Sequence, residues 1–255
     1  MTRVVLALAV RALRNAARRP QFLAPMVVFP SLLLAVNVGG LSHSTDLPGF
    51  PHVHGFLDFQ LAAAITQSLL IGGVGAGIAV ALEIESGFFD RLVAAPIPRS
   101  AIVLGRLLAG SVLATCQTSF FLLLGLAFGV HFEGGVPGVL IVLAIGAVAG
   151  TGFSAIGMAL ALRAKNASLV QGIFPFVFVI LFLSTAFFPL HLLSSPADFV
   201  AEYNPLSYIA DGIRNPIIAS ISAKAVLEGL AAAAGVTLVT VALSVQALRG
   251  RLRQA

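Results

Sequence analysis

Charge is scarce in this chain of 255 residues: Asp, Glu, Lys and Arg make up 10% of it, where soluble domains average about 25%. Tryptophan is absent and Cys116 is the single cysteine, which excludes an intrachain disulfide and a cluster of thiolate metal ligands. Apolar residues are abundant, at 58% of the chain, and they lie in uninterrupted runs long enough to cross a bilayer, about 20 residues each. This composition is typical of an integral membrane protein.

Acidic residues are missing from the middle of the apolar runs. All 10 Asp and Glu residues lie between these runs or at their ends. Ion-coupled carriers usually keep an ionisable group deep in the membrane, so this absence disfavours such a carrier. A phosphate-binding loop of the form G-x-x-x-x-G-K-[ST] is also missing, since the two lysines, Lys165 and Lys224, lie in "ALRAKNAS" and "SISAKAVL". We therefore expect no catalytic residues and no cofactor in this chain, and we expect any ATP and magnesium to bind a separate subunit.

Six apolar runs predict six transmembrane helices in one all-α membrane domain that covers residues 1–255. The predicted spans are, by residue number, 22–42, 59–82, 101–128, 136–162, 168–188 and 225–247. The segments between them are short or rich in proline and glycine, and none is large enough to hold a second, soluble domain.

The basic residues predict which side of the membrane each segment faces, because cytoplasmic segments carry an excess of Lys and Arg. With the N terminus inside, all of the 15 Lys and Arg residues except Arg214 and Lys224 fall on the cytoplasmic side, including Arg253 near the C terminus. We thus predict a multi-pass protein of the cell membrane with both termini in the cytoplasm. The net charge of +5 then faces anionic lipid. Nucleic acid is excluded as a partner, because no basic patch is interleaved with aromatic residues that could stack on bases.

Residues 1–20 predict an amphipathic helix in the cytoplasmic membrane interface. Its basic face carries Arg3, Arg11, Arg14 and Arg18. Its apolar face carries Val5, Leu8, Ala9, Ala12 and Ala16. Such a helix binds the interface through apolar burial and attraction to anionic lipid, and Pro20 ends it because proline cannot continue the hydrogen-bond ladder. The alternative interpretation is a basic leader that only sets the topology.

Residues 84–98, between the second and third spans, concentrate charge in the stretch "IESGFFDRLVAAPIP" and the arginine that follows it. They predict a short cytoplasmic helix that two prolines stop, with Phe88, Phe89 and Leu92 on one face. Apolar anchors beside mixed charges are what one protein inserts into the groove of another. The alternative is an interfacial turn whose phenylalanines dip into lipid.

Residues 190–222, after the fifth predicted span, are moderately apolar but broken by prolines, so they are too interrupted to cross the membrane. We predict short helices half embedded at the outer surface, in a re-entrant segment with Tyr203 and Tyr208 at the level of the lipid headgroups. Loops longer than about 15 residues are usually functional or disordered, and this segment is a candidate outer gate. An ordinary extracellular loop is the alternative.

Small residues four apart line two of the predicted spans. Gly73 and Gly77 lie on one stripe, and Gly146, Gly150 and Ser154 lie on another. Stripes of this kind let helix backbones approach closely in lipid. They predict two tight helix–helix contacts.

Polar side chains that could form a site within the membrane are few. Three glutamines either line a substrate pathway or bridge helices: Gln67, Gln117 and Gln171. Histidines and aspartates gather before and at the start of the second span: His43, Asp46, His52, His54 and Asp58. A zinc site needs three or four ligands in fixed geometry, and nothing in this short loop rich in proline and glycine fixes one, so we predict no metal site.

Two stretches resemble the type-2 permeases of ATP-binding cassette (ABC) transporters, a family that includes drug-resistance exporters of the daunorubicin kind and exporters of lipids and polysaccharides. "LEIESGFFDRLVAAPIPRSAIVLGRLLA" resembles the cytoplasmic segment of that family at Glu83, Glu85, Gly87, Asp90, Leu92, Pro96, Pro98 and Arg99. "FPLHLLSSPADFVAEYNPLSYIADGIR" is similar to its outer segment at Pro189, Asn204, Pro205, Leu206, Tyr208 and Arg214. The chain departs from the family pattern at Phe88 and Asp90.

The resemblance implies a permease subunit that moves an amphipathic drug, lipid or related molecule outward, driven by ATP that a separate cytoplasmic ATPase subunit hydrolyses. It implies two ATPase subunits and a second permease subunit, identical or related. The implied ATPase contact comprises Glu85, Gly87, Phe88, Phe89, Asp90, Arg91, Leu92, Pro96 and Arg99. The implied interface helix carries Arg3, Arg11, Arg14 and Arg18, and the implied outer gate carries Pro189, Asn204, Pro205, Tyr208 and Arg214.

Two other functions are alternatives. An ATP-independent carrier or channel would move on substrate or ion binding alone, and residues 84–98 would then only connect two spans. A membrane-embedded enzyme would use the outer histidines, so that replacing His52 and His54 by alanine would abolish its activity.

Overall fold

A computed structural model describes residues 1–252, which form helices joined by short turns and contain no β-strand. Arg253, which belongs to the predicted cytoplasmic charges, lies outside the described residues. The helices are, in chain order, α1 (Thr2–Ala17), α2 (Pro20–Leu41), α3 (Phe56–Glu85), α4 (Phe88–Ala94), α5 (Arg99–Ala127), α6 (Gly135–Ala164), α7 (Ala167–Gln171), α8 (Phe174–Phe182), α9 (Ala197–Tyr203), α10 (Pro205–Ile218) and α11 (Ala223–Leu252).

Five of the described helices are long and apolar enough to cross a membrane: α2, α3, α5, α6 and α11. They confirm five of the six predicted spans as long helices. The predicted fifth span over residues 168–188 is not confirmed as a long helix, because that run is divided into the short apolar helices α7 and α8. Pro175 lies in the first turn of α8. Since proline has no backbone N–H, it cannot donate to the carbonyl of Gln171, the residue at which α7 ends.

Helices α3 and α6 form the centre of the bundle, and they cross where glycines remove the side chains between them. A Cβ atom on Gly73 would lie 2.5 Å from the carbonyl oxygen of Phe153, and one on Gly77 would lie 2.7 Å from that of Gly157. The backbones are therefore in direct contact, which a side chain at either position would prevent. The predicted packing role of the first small-residue stripe is confirmed.

The second small-residue stripe, on another side of α6, faces α5. Gly146 lies against Thr118, and Gly150 lies against Ala114. One turn further along, a Cβ atom on Gly110 of α5 would lie 2.6 Å from the hydroxyl of Ser154. This stripe therefore also packs one helix against another, as predicted.

The peripheral helices α2 and α11 differ from the central ones in burial. Only 17% of the apolar window of each is buried, against 56% for α3. Side chains such as Leu32 on α2 and Leu238 on α11 are more than half exposed. An exposed apolar surface of this kind is stable where lipid or another membrane subunit covers it.

Candidate functional site

Helices α1 and α4 lie at one end of the bundle, which we call the α1/α4 face. Helix α1 packs along α5, with Ala9 buried and Leu8 close to Gly105. Its other side exposes Arg3, Arg14 and Arg18. The predicted helix is thus present, and its apolar side is the buried one.

Arg11 departs from the exposed basic stripe, because Glu83 at the end of α3 draws its side chain inward. The Arg11 guanidinium lies 3.3 Å from the Glu83 carboxylate and 3.6 Å over the ring of Phe88. The same carboxylate accepts a hydrogen bond from Arg106 of α5. One acidic side chain therefore joins α1, α3 and α5.

The pairing of Glu83 with Arg106 is not predicted from the sequence, where Glu83 matches the family pattern and Arg106 counts among the cytoplasmic charges. The sequence does indicate that Arg106 needs an acidic partner. Arg106 falls inside the predicted third span, and a charge within a span is expected to have a partner. The partner could not be chosen from sequence alone, because Glu83 and Arg11 lie in other helices.

Gly87 makes the turn between α3 and α4. Its φ angle is +70°, in the left-handed region that glycine occupies without strain. The helix that follows, Phe88–Ala94, is shorter than predicted but lies within residues 84–98. Its position between α3 and α5 matches the prediction.

Phe89 corrects the prediction that the aromatic residues of this helix project outward. Its side chain is 0% exposed and belongs to an apolar cluster with Ile84 of α3 and Ile102 of α5. Leu92 packs against the same cluster. These side chains of the seven-residue helix point inward because burying apolar surface in the gap between α3 and α5 is more favourable than exposing it to water. Phe89 thus anchors α4 from beneath and is unavailable to a partner.

The outer side of α4 is polar and exposed. Asp90 and Arg91 are exposed there, and Pro96 and Arg99 are exposed just beyond the helix. Asp90 accepts a 2.8 Å hydrogen bond from Arg251 at the end of α11. These groups form the accessible part of the predicted contact.

Glu85 makes the link from this face to α7. Its carboxylate accepts a 2.8 Å hydrogen bond from the backbone N–H of Ala167, the first residue of α7. A carboxylate at a helix N-terminus satisfies an otherwise unpaired donor and complements the helix dipole. The α1/α4 face thus touches α3, α5, α7 and α11 through named contacts.

Helices α9 and α10 lie at the other end of the bundle, which we call the α9/α10 face. The predicted segment 190–222 is broken, as expected, into a turn of 3₁₀-helix, Leu190–Leu192, and the helices α9 and α10. It is more buried than a loop, since Ile209 and Ile213 of α10 are both 0% exposed. Helix α10 packs against α3, α6 and α11.

Asn204 joins the end of α8 to the start of α10. Its amide nitrogen donates to the carbonyls of Ile180 at 2.8 Å and Leu183 at 2.7 Å. Its amide oxygen accepts from the N–H of Leu206 at 2.9 Å, which caps α10. Pro205 occupies the first position of α10, where a missing N–H costs nothing.

Arg214 is 5% exposed and holds the turn that follows α8. It donates to the carbonyls of Thr185 at 2.9 Å and Ala186 at 2.6 Å, and to that of Phe59 on α3 at 3.3 Å. The remaining charge is balanced by Asp211. Burial raises the pKa of Asp211, and the neighbouring Arg214 opposes that shift.

The other predicted outer-gate residues surround this network. Pro189 is buried, and the hydroxyl of Tyr208 donates to the carbonyl of Glu202 at 2.9 Å. Tyr203 is 69% exposed. The five predicted gate residues therefore lie in one region, and two of them, Asn204 and Arg214, act on the same stretch of backbone.

The three predicted pathway glutamines do not share a surface. Gln67 and Gln117 are buried at 1% and 7% exposure, and their amide nitrogens have no hydrogen-bond partner among residues 1–252. Gln171 is exposed at the end of α7. Gln117 lies against Gly72, where a Cβ atom would be 2.8 Å from its nitrogen.

The outer histidines form pairs rather than a metal-binding group. His54 lies 3.2 Å from Glu133, and His43 lies 3.7 Å from Asp46. Within the described part of the chain, no three His, Cys, Asp or Glu side chains are grouped so that they could hold a metal ion.

Known proteins resemble this chain over most of its length. It is 28% identical to a protein of Porphyra purpurea named as a transport permease, ycf38, over 77% of this chain and 68% of that protein. It is 27% identical to the daunorubicin resistance ABC transporter permease protein DrrB1 of Streptomyces coeruleorubidus, over 62% of this chain and 56% of that protein. The ABC-2 type transporter family matches residues 3–218. The chain, with its five long apolar helices, belongs to the ABC-2 type transporter family.

Proposed function

We propose that this chain is the membrane permease subunit of an ATP-driven exporter, and that a cytoplasmic ATPase subunit binds its α1/α4 face. The observation that carries this proposal is that α4 has one exposed, charged side and one buried, apolar side. Its outer side presents exposed charges such as Arg91, while Phe89 beneath it is fully buried between α3 and α5. A partner that moves α4 would therefore move the two helices that flank it.

Contacts around α4 would spread this movement. Asp90 is joined to α11 through Arg251, and Glu85 is joined to α7. Glu83 joins α3 to α1 and α5. Coupling through packed side chains and ion pairs needs such a contiguous set of contacts. In this proposal both termini are cytoplasmic, in agreement with the basic residues of α1 and the end of α11.

The rest of the assembly follows from surfaces that this chain leaves open. The exposed apolar sides of α2 and α11 suit lipid and a second permease subunit, and each permease would bind one ATPase subunit. Helices α7 and α8, which together cover Ala167–Phe182, would complete the sixth crossing as a broken helix. The α9/α10 face would then form the outer gate.

The proposed cargo is an amphipathic drug, lipid or related hydrophobic molecule. Apolar walls offer few hydrogen-bond partners for the hydroxyl groups of sugars, and the buried side chains of α6 are almost entirely apolar, as are most of those of α3. The relative from Streptomyces coeruleorubidus is named for resistance to daunorubicin. That name supports an amphipathic cargo for this chain.

Co-purification with the ATPase subunit tests the proposal. Arg91→Glu reverses an exposed charge on α4, and we expect it to weaken ATPase binding about tenfold, since reversing an interface charge replaces attraction by repulsion. Lys224→Glu is the matched control, because Lys224 is exposed at the start of α11, far from α4. Undiminished ATPase binding by the Arg91→Glu variant would show that α4 is not the contact. Transport by the purified chain alone, driven by an ion gradient, would replace the proposal with an ATP-independent carrier.

A further inference from the structure

A cleft of about 590 Å³ opens at the α1/α4 face between α1 and α2 on one side and α3, α5 and α6 on the other. Its volume lies within the range of about 300–1,000 Å³ that is typical of small-molecule sites. Residues of one chain are enough to form its walls.

The mouth of the cleft is charged, with more positive than negative groups. Arg11, Arg19 and Arg106 line it together with Glu83 and Glu85. The carboxylate of Glu83 is shared by two of these arginines, and that of Glu85 accepts from the backbone of α7. Arg19, which is exposed, adds a further guanidinium. The mouth thus carries one net positive charge and several donors suited to a phosphate or carboxylate.

The interior of the cleft is mostly apolar, with Ser154 as a polar exception. Phe22 and Leu23 of α2 line one wall, and Ala76 of α3 and Leu113 of α5 line the other. Leu113 follows Arg106 by two turns of α5, so it lies about 10 Å deeper along the helix axis. The polarity therefore changes from charged to apolar over the length of a small amphipathic molecule.

We propose that this cleft binds an anionic single-chain lipid, with its headgroup at the arginines of the mouth and its chain between α2 and α5. A lipid can enter at the mouth, where the exposed Arg19 lies at the start of α2. The basic residues of α1 would concentrate anionic lipid beside the mouth. Binding requires only this chain, so it does not depend on the ATPase subunit of the proposed function.

Photo-crosslinking tests the site directly. The full chain is purified in detergent without an ATPase and labelled with lysophosphatidic acid that carries a diazirine in its acyl chain. Lysophosphatidylcholine with the same chain is the zwitterionic control. We expect crosslinks on cleft-lining peptides of α2 and α5, with about tenfold tighter binding of the anionic lipid, since charge-assisted hydrogen bonds to the mouth strengthen its binding alone.

Two variants, each with a matched control, locate the binding. Ala79 is exposed inside the cleft, so Ala79→Phe should fill it and remove most of the crosslinking, while Ala231→Phe on α11 should leave it unchanged. Arg19→Gln should weaken binding about fivefold through the loss of one charged donor. Arg18→Gln, at an exposed neighbour that does not line the cleft, should have a much smaller effect, since it removes a nearby charge but no direct donor.

Several results would overturn the proposal. Equal crosslinking by the two lysolipids would show ordinary lipid contact without recognition of the headgroup. Crosslinks confined to the outer sides of α2 and α11, or undiminished crosslinking of the Ala79→Phe variant, would place the lipid outside the cleft. Because no ATPase is present, none of these results would bear on the α4 contact.

Discussion

Arg11 and Arg214 make similar contacts at opposite ends of the molecule, and their surroundings differ. Each lies over a phenylalanine ring, at 3.6 Å and 3.9 Å respectively, and each has an acidic partner. Arg214 is nearly inaccessible and also donates to three backbone carbonyls. The side chain of Arg11 is 34% exposed and shares its carboxylate with Arg106.

This difference indicates that the α9/α10 face is held rigidly, whereas the α1/α4 face can move. Removing a buried, fully hydrogen-bonded charge leaves its partners unpaired, which is costly. Exposed and half-exposed ion pairs contribute little to stability, so they can separate and re-form. We therefore expect substitutions at the α9/α10 face to change stability and substitutions at the α1/α4 face to change how elements move together.

Arg214→Met should have the largest effect. It leaves Asp211 without its cation and three carbonyls without a donor, and we expect a loss of about 4 kcal/mol in stability. Thermal unfolding in detergent measures the loss. Arg18→Met, at an exposed position on α1, is the control and should behave as wild type. Equal unfolding temperatures for the two variants would show that Arg214 does not stabilise the fold.

Phe89→Ala should lower stability, unlike the other substitutions expected at the α1/α4 face. Because the side chain is fully buried, the substitution opens a cavity and should cost about 3 kcal/mol. Phe88→Ala is the matched comparison, since Phe88 is only half-buried and should lose much less. If Phe88→Ala proved the more damaging of the two in thermal unfolding, the inward orientation of Phe89 would be wrong.

Asn204→Ala should cost about 1–2 kcal/mol, the range expected for losing a helix cap together with hydrogen bonds to the end of a neighbouring helix. Asn204→Ser separates the two contributions, because serine keeps an oxygen that can accept from the N–H of Leu206 and loses the amide donors to α8. An intermediate unfolding temperature for Asn204→Ser is the expected result. If both variants unfolded like wild type, the link between α8 and α10 would carry no stability.

Glu83→Gln should have the smallest effect on stability, about 1 kcal/mol, because the amide oxygen of glutamine can still accept a hydrogen bond from Arg106, although these largely buried side chains lose their ion pair. It should instead loosen α1 from α3, which hydrogen exchange of the α1 amides would detect as faster exchange. Glu202→Gln, at an exposed site on α9, is the control. Unchanged exchange in α1 of the Glu83→Gln variant would contradict the joining role of Glu83.

The long helices could be predicted from the sequence because the length of an apolar run and the spacing of small residues are local properties. The four-residue spacing of Gly73 and Gly77 indicated in this way which side of α3 packs against another helix. The break between α7 and α8 could not be seen from hydropathy, since the run from 168 to 188 is predominantly apolar on both sides of it. It depends on where Pro175 interrupts the backbone hydrogen bonds.

The side-chain networks depend on contacts between distant parts of the chain. Arg214 was expected outside the membrane, yet it reaches Phe59, which lies 155 positions earlier in the sequence. Phe89 was expected to project from α4, and only the gap between α3 and α5 turns it inward. A seven-residue helix has no orientation of its own, because tertiary packing decides which of its sides is buried.

The most direct test of the account compares the two faces in one experiment. Hydrogen–deuterium exchange is measured on the full chain alone and in complex with the proposed ATPase subunit. The account predicts slower exchange in α4, Phe88–Ala94, when the ATPase binds, and no change in α10, Pro205–Ile218. Unchanged exchange in α4 upon ATPase binding would contradict it.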